Sequence, residues 1–393
     1  MTVKEVVRLL EDTGNTYVLL RGTRDPGTVV VAAPSLVGRV LCTGIDGLEG
    51  ETESYILPDE IRKGHRPSGP GGTWNNFGGE ERVWLAPEGG RFSLFFPEGE
   101  AQTMDTYTVP EPLNSTRFQT VEGSESRDSV TCMASISLTS VRGTVYEIRM
   151  IRRVRLLEGS PFSMGYGDRV RVVGFETSTT VFNAGDAAWT RETGAPAIWT
   201  LGQFKAGKRR IVVVPYRRGQ TGSDQDAVST ENFRLLNPGG TQGLTAYFRV
   251  DQQCVLFRVN GGAQTKLEFP HKTATGRIGA VDLAHPVLTI VESRVYPELD
   301  YVAGYALPYS GDPYDGGASS SFVLSRESTI PPFFEMESCS PALFLQPGES
   351  YEHVSRTYHI RGPLGPLRSI CHRHLGTDWG VLETFDTQEN VSF

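Results

Sequence analysis

Short runs of β-branched and aromatic residues, broken every few positions by Gly, Pro, Asn or Asp, dominate the chain and predict strands along most of its length. Val18–Leu20, Thr28–Ala33 and Arg39–Cys42 come first. Val130–Thr139 and Thr144–Arg152 follow, joined by Ser140–Gly143, and read as a hairpin. In its second strand Val145, Glu147, Arg149 and Ile151 share one face, with Tyr146, Ile148 and Met150 on the other. Further runs are Arg169–Phe175, Ser178–Phe182, Ala197–Leu201, Arg210–Pro215, Leu244–Val250, Cys254–Val259, Val287–Val291, Ser321–Leu324, Phe333–Glu337 and Val354–Ile360. Helical spacing is confined to Val3, Val6, Val7 and Leu10, before Gly14. The pattern predicts an all-β chain of large antiparallel sheets with little helix. No fixed-period repeat supports a propeller. No low-complexity linker divides the chain, so residues 1–393 are expected to form one domain. The polar segment 218–230 is the alternative boundary.

One stretch departs from the strand pattern. Residues 73–96, TWNNFGGEERVWLAPEGGRFSLFF, mix Trp, Asn, Glu and Arg with two Gly pairs. Glycine pairs allow tight turns or close approach to a ligand. The mixture reads either as the polar, aromatic floor of a concave site or as a decorated hairpin. Phe92, Leu94, Phe95 and Phe96 after it read as a buried strand, and the polar residues 97–127 as a long loop.

The chain has 393 residues, 38% of them hydrophobic, enough for a large core. The formal net charge is -8 and no basic cluster is present, which argues against a nucleic-acid partner. Five scattered Cys (Cys42, Cys132, Cys254, Cys339 and Cys371) suit buried thiols in a reducing compartment. The N-terminal segment has no apolar core of a signal peptide, so a cytoplasmic location is expected unless a leader has been removed. No run has the length of a membrane span. Asn114 and Asn390 begin glycosylation sequons.

Candidate chemistry narrows quickly. Cys371-His372-Arg373-His374 lacks a second ligand group at zinc spacing, and Asp312-Pro313-Tyr314-Asp315-Gly316-Gly317 reads as a turn. No nucleophile elbow or phosphate loop is present, and neither a metal nor a cofactor is expected. Carboxylates are more informative. Glu335 and Glu337 share one face of the apolar run FFEMES, where a carboxylate is costly without a polar partner. That partner is either a ligand or one of the many Arg. Trp74 and Trp84, and Trp189 and Trp199, stand beside Asn, Arg and Glu, a combination suited to stacking a sugar ring while polar groups hold its hydroxyls.

The segment Pro341–Ile360, with Pro347-Gly348-Glu349-Ser350-Tyr351, resembles the terminal strand of galactose mutarotases (aldose 1-epimerases) and their relatives. With GGEERVWLAPEGG and the Asn183…Trp189…Trp199 segment, the likeness is closer still to an uncharacterised bacterial branch of that superfamily. The resemblance implies a β-supersandwich and a mono- or oligosaccharide ligand. It implies Glu337 as the catalytic base, with Arg82 beside it. Asn75, Asn76, Trp84, Glu88, Asn183, Trp189 and Glu335 are the implied sugar contacts. The family's acid is a His. The comparable segment Val181–Asp186 has none, and Phe77 stands where a second family His precedes Gly-Gly. A Tyr, His353 or His359 is the substitute acid. The resemblance leaves three readings: an epimerase-type enzyme or a derived lyase or hydrolase, a sugar-binding protein without catalysis, and a structural role. No oligomeric state follows from the sequence.

Overall fold

In a computed structural model of the chain, which describes residues 1–217, 233–235, 243, 246–251, 253–303, 309 and 311–387, the strands assemble into two large antiparallel sheets and one small one. The segment 218–230 and Asn390 lie outside the described residues, as do residues 244 and 245 of the expected Leu244–Val250 strand. The larger sheet has ten strands. In spatial order they are Phe248–Asp251, Cys254–Arg258, Arg210–Pro215, Arg277–Asp282, Val287–Ser293, Ser350–Arg361, Arg171–Asn183, Val145–Leu157, Ser129–Thr139 and Gln119–Thr120. The expected hairpin lies within it, with Tyr146, Ile148 and Met150 buried and Val145, Glu147 and Arg149 exposed. The second sheet has six strands, in the order Phe233–Leu235, Thr265–Pro270, Gly317–Val323, Phe333–Cys339, Ala197–Lys205 and Arg82–Ala86. A three-stranded sheet (Val18–Arg21, Val29–Ala33, Arg39–Gly44) joins its edge through the antiparallel bridge Val40–Glu81.

The two large sheets pack face to face. Phe204 and Ser338 of the six-stranded sheet meet His359 and His353 of the ten-stranded one. Side chains alternate along a strand, so this contact fixes the other face of the smaller sheet as the one that carries Gln203, Glu335 and Glu337. Helix is confined largely to the ends. Val3–Asp12 begins with a Thr2–Glu5 capping box and buries Val3, Val6, Leu9 and Leu10. The helices Leu364–Leu375 and Trp379–Thr387, absent from the sequence expectation, cover the outer face of the ten-stranded sheet with Leu367, Ile370, Leu375, Leu382 and Phe385. Phe92, Leu94, Phe95 and Phe96 are buried as expected but form turns rather than a strand. Their backbone closes back on the Pro87–Gly90 segment through Ser93 N to Gly90 O and Leu94 N to Pro87 O. The 97–127 segment contains the short helix Glu111–Ser115 and the edge strand Gln119–Thr120.

Candidate functional site

The register of the six-stranded sheet assembles a charged face. Lys266 lies opposite Phe322, Phe322 opposite Glu335 and Glu335 opposite Gln203. One row along, Ser320, Glu337, Leu201 and Arg82 lie side by side, and beyond them Trp199 faces Trp84. Positions two apart share a face, so the charged side chains point away from the ten-stranded sheet. Burial is extreme for such charges: Arg82 is 3% exposed, Lys266 4%, Glu335 5% and Glu337 0%.

Buried charges persist only when paired and hydrogen-bonded. Glu337 accepts from Lys266 Nζ at 2.6 and 2.8 Å, from Trp199 Nε1 at 2.8 Å and from Ser320 Oγ at 2.6 Å. Glu335 pairs with Arg82 Nη2 at 3.0 Å and accepts from Gln203 Nε2 at 3.0 Å. Burial lowers the Lys266 ammonium, but Glu337, Glu335 and Glu88 outweigh it and hold it above its usual value. Burial raises the Glu335 carboxyl against the opposing pull of Arg82. Glu88, half-buried just past the Arg82–Ala86 strand, accepts from Tyr107 Oη at 2.8 Å. Burial pushes its carboxyl up to about 7, with Lys266 and Tyr107 pulling down and Glu337 and Glu335 adding to the rise.

Aromatic rings wall this face. The Arg82 guanidinium lies between the rings of Trp74 and Trp84, at 4.7 and 4.3 Å, and Lys266 Nζ stands 5.3 Å from the Trp199 ring centre. Trp84 meets Trp74 and Trp199 edge-on at 5.2 and 5.8 Å. Trp84 is buried and occupied by Arg82, whereas Trp74 keeps part of its surface in solvent. On this face the buried atoms Arg82 Nε, Arg82 Nη1 and Gln203 Oε1 have no hydrogen-bond partner among the described residues, and neither has Asn76 Oδ1 in the loop before the Arg82–Ala86 strand.

Arg82, Trp84, Glu88, Glu335 and Glu337 therefore come together. Asn75 instead locks the preceding loop, receiving Arg66 N and donating to Arg66 O, while its own N–H goes to Asn114 Oδ1. Asn114 is itself buried in that lock, so its sequon is not displayed to solvent. Asn183 donates to Ala187 O and Leu345 O at the end of the larger sheet, and Trp189 packs edge-on against Tyr146. Their hydrogen bonds and ring contacts include no member of the charged face. The two His among the substitute acids lie on the other side of the six-stranded sheet, between it and the ten-stranded one. His353 bonds Ser338 Oγ between the sheets, and burial, aided by Arg152, lowers it to about 4. His359 is paired with Glu80 at 2.9 Å. Glu81 likewise points between the sheets, to Arg152 at 2.6 Å. In Cys371-His372-Arg373-His374 a helix spreads the side chains apart: Cys371 is buried, His372 meets Asp378 and His374 lies edge-on to Phe162. Lys266, Tyr107, Gln203 and Ser320 do not stand out in the sequence. The strict alternation of Thr265-Lys266-Leu267-Glu268-Phe269 is the one local signal that could have set Lys266 on a face with a carboxylate.

Fold and site together define an antiparallel two-sheet sandwich with a buried, aromatic-walled ion cluster on the outward face of its smaller sheet. The chain belongs to a family of unknown function, DUF6786, whose model matches residues 1–385. No curated protein matches the sequence. Among solved structures it is similar to a galactose mutarotase-like protein from Lactobacillus casei, at 10% identity and a TM-score of 0.47, over 88% of this chain and 100% of the other. It is also similar to a galactose mutarotase related enzyme from Lactobacillus acidophilus, at 10% identity and a TM-score of 0.46, over 87% and 97% of the two chains. Among the described residues no helix is long and apolar enough to cross a membrane.

Proposed function

We propose that the charged face binds a mono- or oligosaccharide and carries out acid–base chemistry at or near the anomeric centre, of epimerase type or a lyase or hydrolase step derived from it. The observation that carries this reading is the contrast between two neighbouring carboxylates. Glu88 is held near neutrality and can exchange a proton, while Glu337 is ion-paired to a charged Lys266. The sequence resemblance named Glu337 as the base. With four donor contacts already on its oxygens, Glu337 instead holds Lys266 in place, and the proton-transfer role passes to Glu88, oriented by Tyr107. Lys266 and Arg82 supply donors for ring and hydroxyl oxygens, and Trp74 an apolar ring face.

A thermal-shift screen of mono- and oligosaccharides is the first test, because a ligand that binds the native state raises the midpoint. With a responsive sugar in hand, Glu88→Gln is expected to lower turnover by roughly two to four orders of magnitude while binding persists. Full turnover in a folded Glu88→Gln variant would sink the assignment. The second reading, a sugar-binding protein without catalysis, draws on the saturation of Glu337 by its own protein donors. Saturable sugar binding with no turnover, unaltered in Glu88→Gln, is its signature.

A further inference from the structure

Beside the ion cluster stands a cation that the scheme above does not use. The antiparallel bridge Val40–Glu81, with its two backbone hydrogen bonds, sets Arg39 directly across from Arg82. Like charges in opposed positions on neighbouring strands repel, and here both lie out of water, Arg39 at 1% and Arg82 at 3% exposure. Arg82 has Glu335 as partner. Arg39 has no carboxylate partner among the described residues. Among the described residues it donates only to the backbone carbonyls of Gly78 and Asn75, at 3.1 and 3.5 Å, and it lies over the Phe77 ring. Arg39 Nε, Arg82 Nε and Arg82 Nη1 have no acceptor among the described residues. Burial, then Arg82 and Arg152, hold the Arg39 guanidinium well below its usual range, with Glu335 as the opposing charge. Three cations (Arg39, Arg82, Lys266) face three carboxylates (Glu88, Glu335, Glu337), and protonating Glu88 leaves the group positive.

We infer that an acidic group of the ligand, a carboxylate or a phosphate, binds between Arg39 and Arg82, so that the sugar this site takes is an anionic one. The inference rests on the sugar reading above and names the class within it. A guanidinium pair with free N–H groups out of water is the arrangement that recognises planar or tetrahedral oxyanions, and the anion removes the repulsion the pair otherwise carries. A neutral sugar leaves that repulsion in place.

Calorimetric titrations with D-glucuronate, D-glucose 6-phosphate, D-glucose and inorganic phosphate test it on the intact chain. One of the two anionic sugars is expected to bind at least tenfold more tightly than glucose, and which one tells carboxylate from phosphate. Arg39→Gln is expected to abolish that margin and leave glucose binding within about twofold. Arg39→Lys, which keeps the charge and loses the fork, is expected to fall between. Glucose binding as tightly as both anionic sugars overturns the inference and leaves the sugar reading standing. An anionic preference that survives in folded Arg39→Gln overturns it as well. Arg39-dependent binding of inorganic phosphate with no response to any sugar keeps the anion pocket and rejects the sugar. No binding of any probe rejects both.

Discussion

At the scale of single residues, two carboxylates of the charged face make opposite contributions to stability. The Glu88 carboxyl is raised to about 7, above the ordinary carboxylate value. Between pH ~4.5 and ~7 the folded protein therefore holds a proton that the unfolded chain has released, so this group's contribution to stability falls as pH rises through that window. Glu88→Gln is expected to remove that loss: melts from pH 5 to 8 should show the variant gaining on the parent as pH rises. An unchanged pH slope would place Glu88 in a more polar setting than the one described. Glu337→Gln acts differently, because it strands the buried Lys266 charge. It is expected to cost about 3–5 kcal/mol, with much of the loss recovered when Lys266→Met is added. Denaturant titration of the two single variants and the double variant measures that coupling, and independent, additive losses would show that the pair does not interact.

At the scale of elements, the site depends on one loop and one strand. The strand Phe333–Cys339 sends Glu335 and Glu337 to the charged face and Ser338 to His353 between the sheets, so alternation along one strand separates chemistry from core. The loop 75–79 carries Asn76 and supplies both carbonyls that hold Arg39. It fits because Gly78 has φ +79° and a Cβ there would lie 2.1 Å from Tyr55 O. Gly78→Ala is expected to destabilise the protein by about 1–3 kcal/mol and to disturb the Arg39–Arg82 arrangement first. Comparing thermal midpoints with the affinity for whichever of glucuronate and glucose 6-phosphate the parent prefers checks both effects. A variant with parental stability and affinity would show that the loop tolerates another path. Alternation within strands, the Ser140–Gly143 turn and the N-terminal helix were legible from sequence, since each is set by neighbours within a few positions. The C-terminal helices were not, because Gly365, Pro366 and the Cys371–His374 run obscure the apolar spacing of Leu367, Ile370, Cys371 and Leu375. The Phe92–Phe96 run misled for the opposite reason: it is apolar enough for a strand, yet it fills a space beside Trp84 and Tyr107 rather than a place in a sheet.

At the scale of the whole molecule, buried and half-buried polar groups in the layers against the larger sheet contribute to the response to acid. His353 is lowered to about 4, and Glu53, paired with Arg210 and Arg361, to about 2. Both shifts are downward, so their contributions are present above the unfolded values, ~6.5 and ~4.5, and are lost as pH falls towards the folded ones. For His353 the full loss is about 3 kcal/mol. In the parent this gain with rising pH runs against the Glu88 loss over nearly the same window. His353→Gln is expected to remove that gain, so that the variant loses stability relative to the parent as pH rises from 5 to 7. A profile with the same shape in parent and variant would count against a neutral His353 in the fold.

By itself the sequence determined the strand-rich class, the antiparallel hairpin, the shared face of Glu335 and Glu337, and the cost of placing them in an apolar run. These are local consequences of backbone geometry and solvation. Only the tertiary structure decided who meets those carboxylates. The partner of Glu337 proved to be Lys266 rather than an Arg, because the order of strands in the sheet, which no short window encodes, puts Thr265–Pro270 two strands away on the same face. Glu80 and Glu81 turned to His359 and Arg152 between the sheets, while the next residue, Arg82, joined the charged face. Asn183 and Trp189, which share a sequence segment with Trp199, were left in the packing at the end of the larger sheet. Arg39 carried no sequence signal at all. Its place opposite Arg82 follows from a bridge between two separate sheets, and the repulsion that makes it informative exists only once both side chains have been taken out of water.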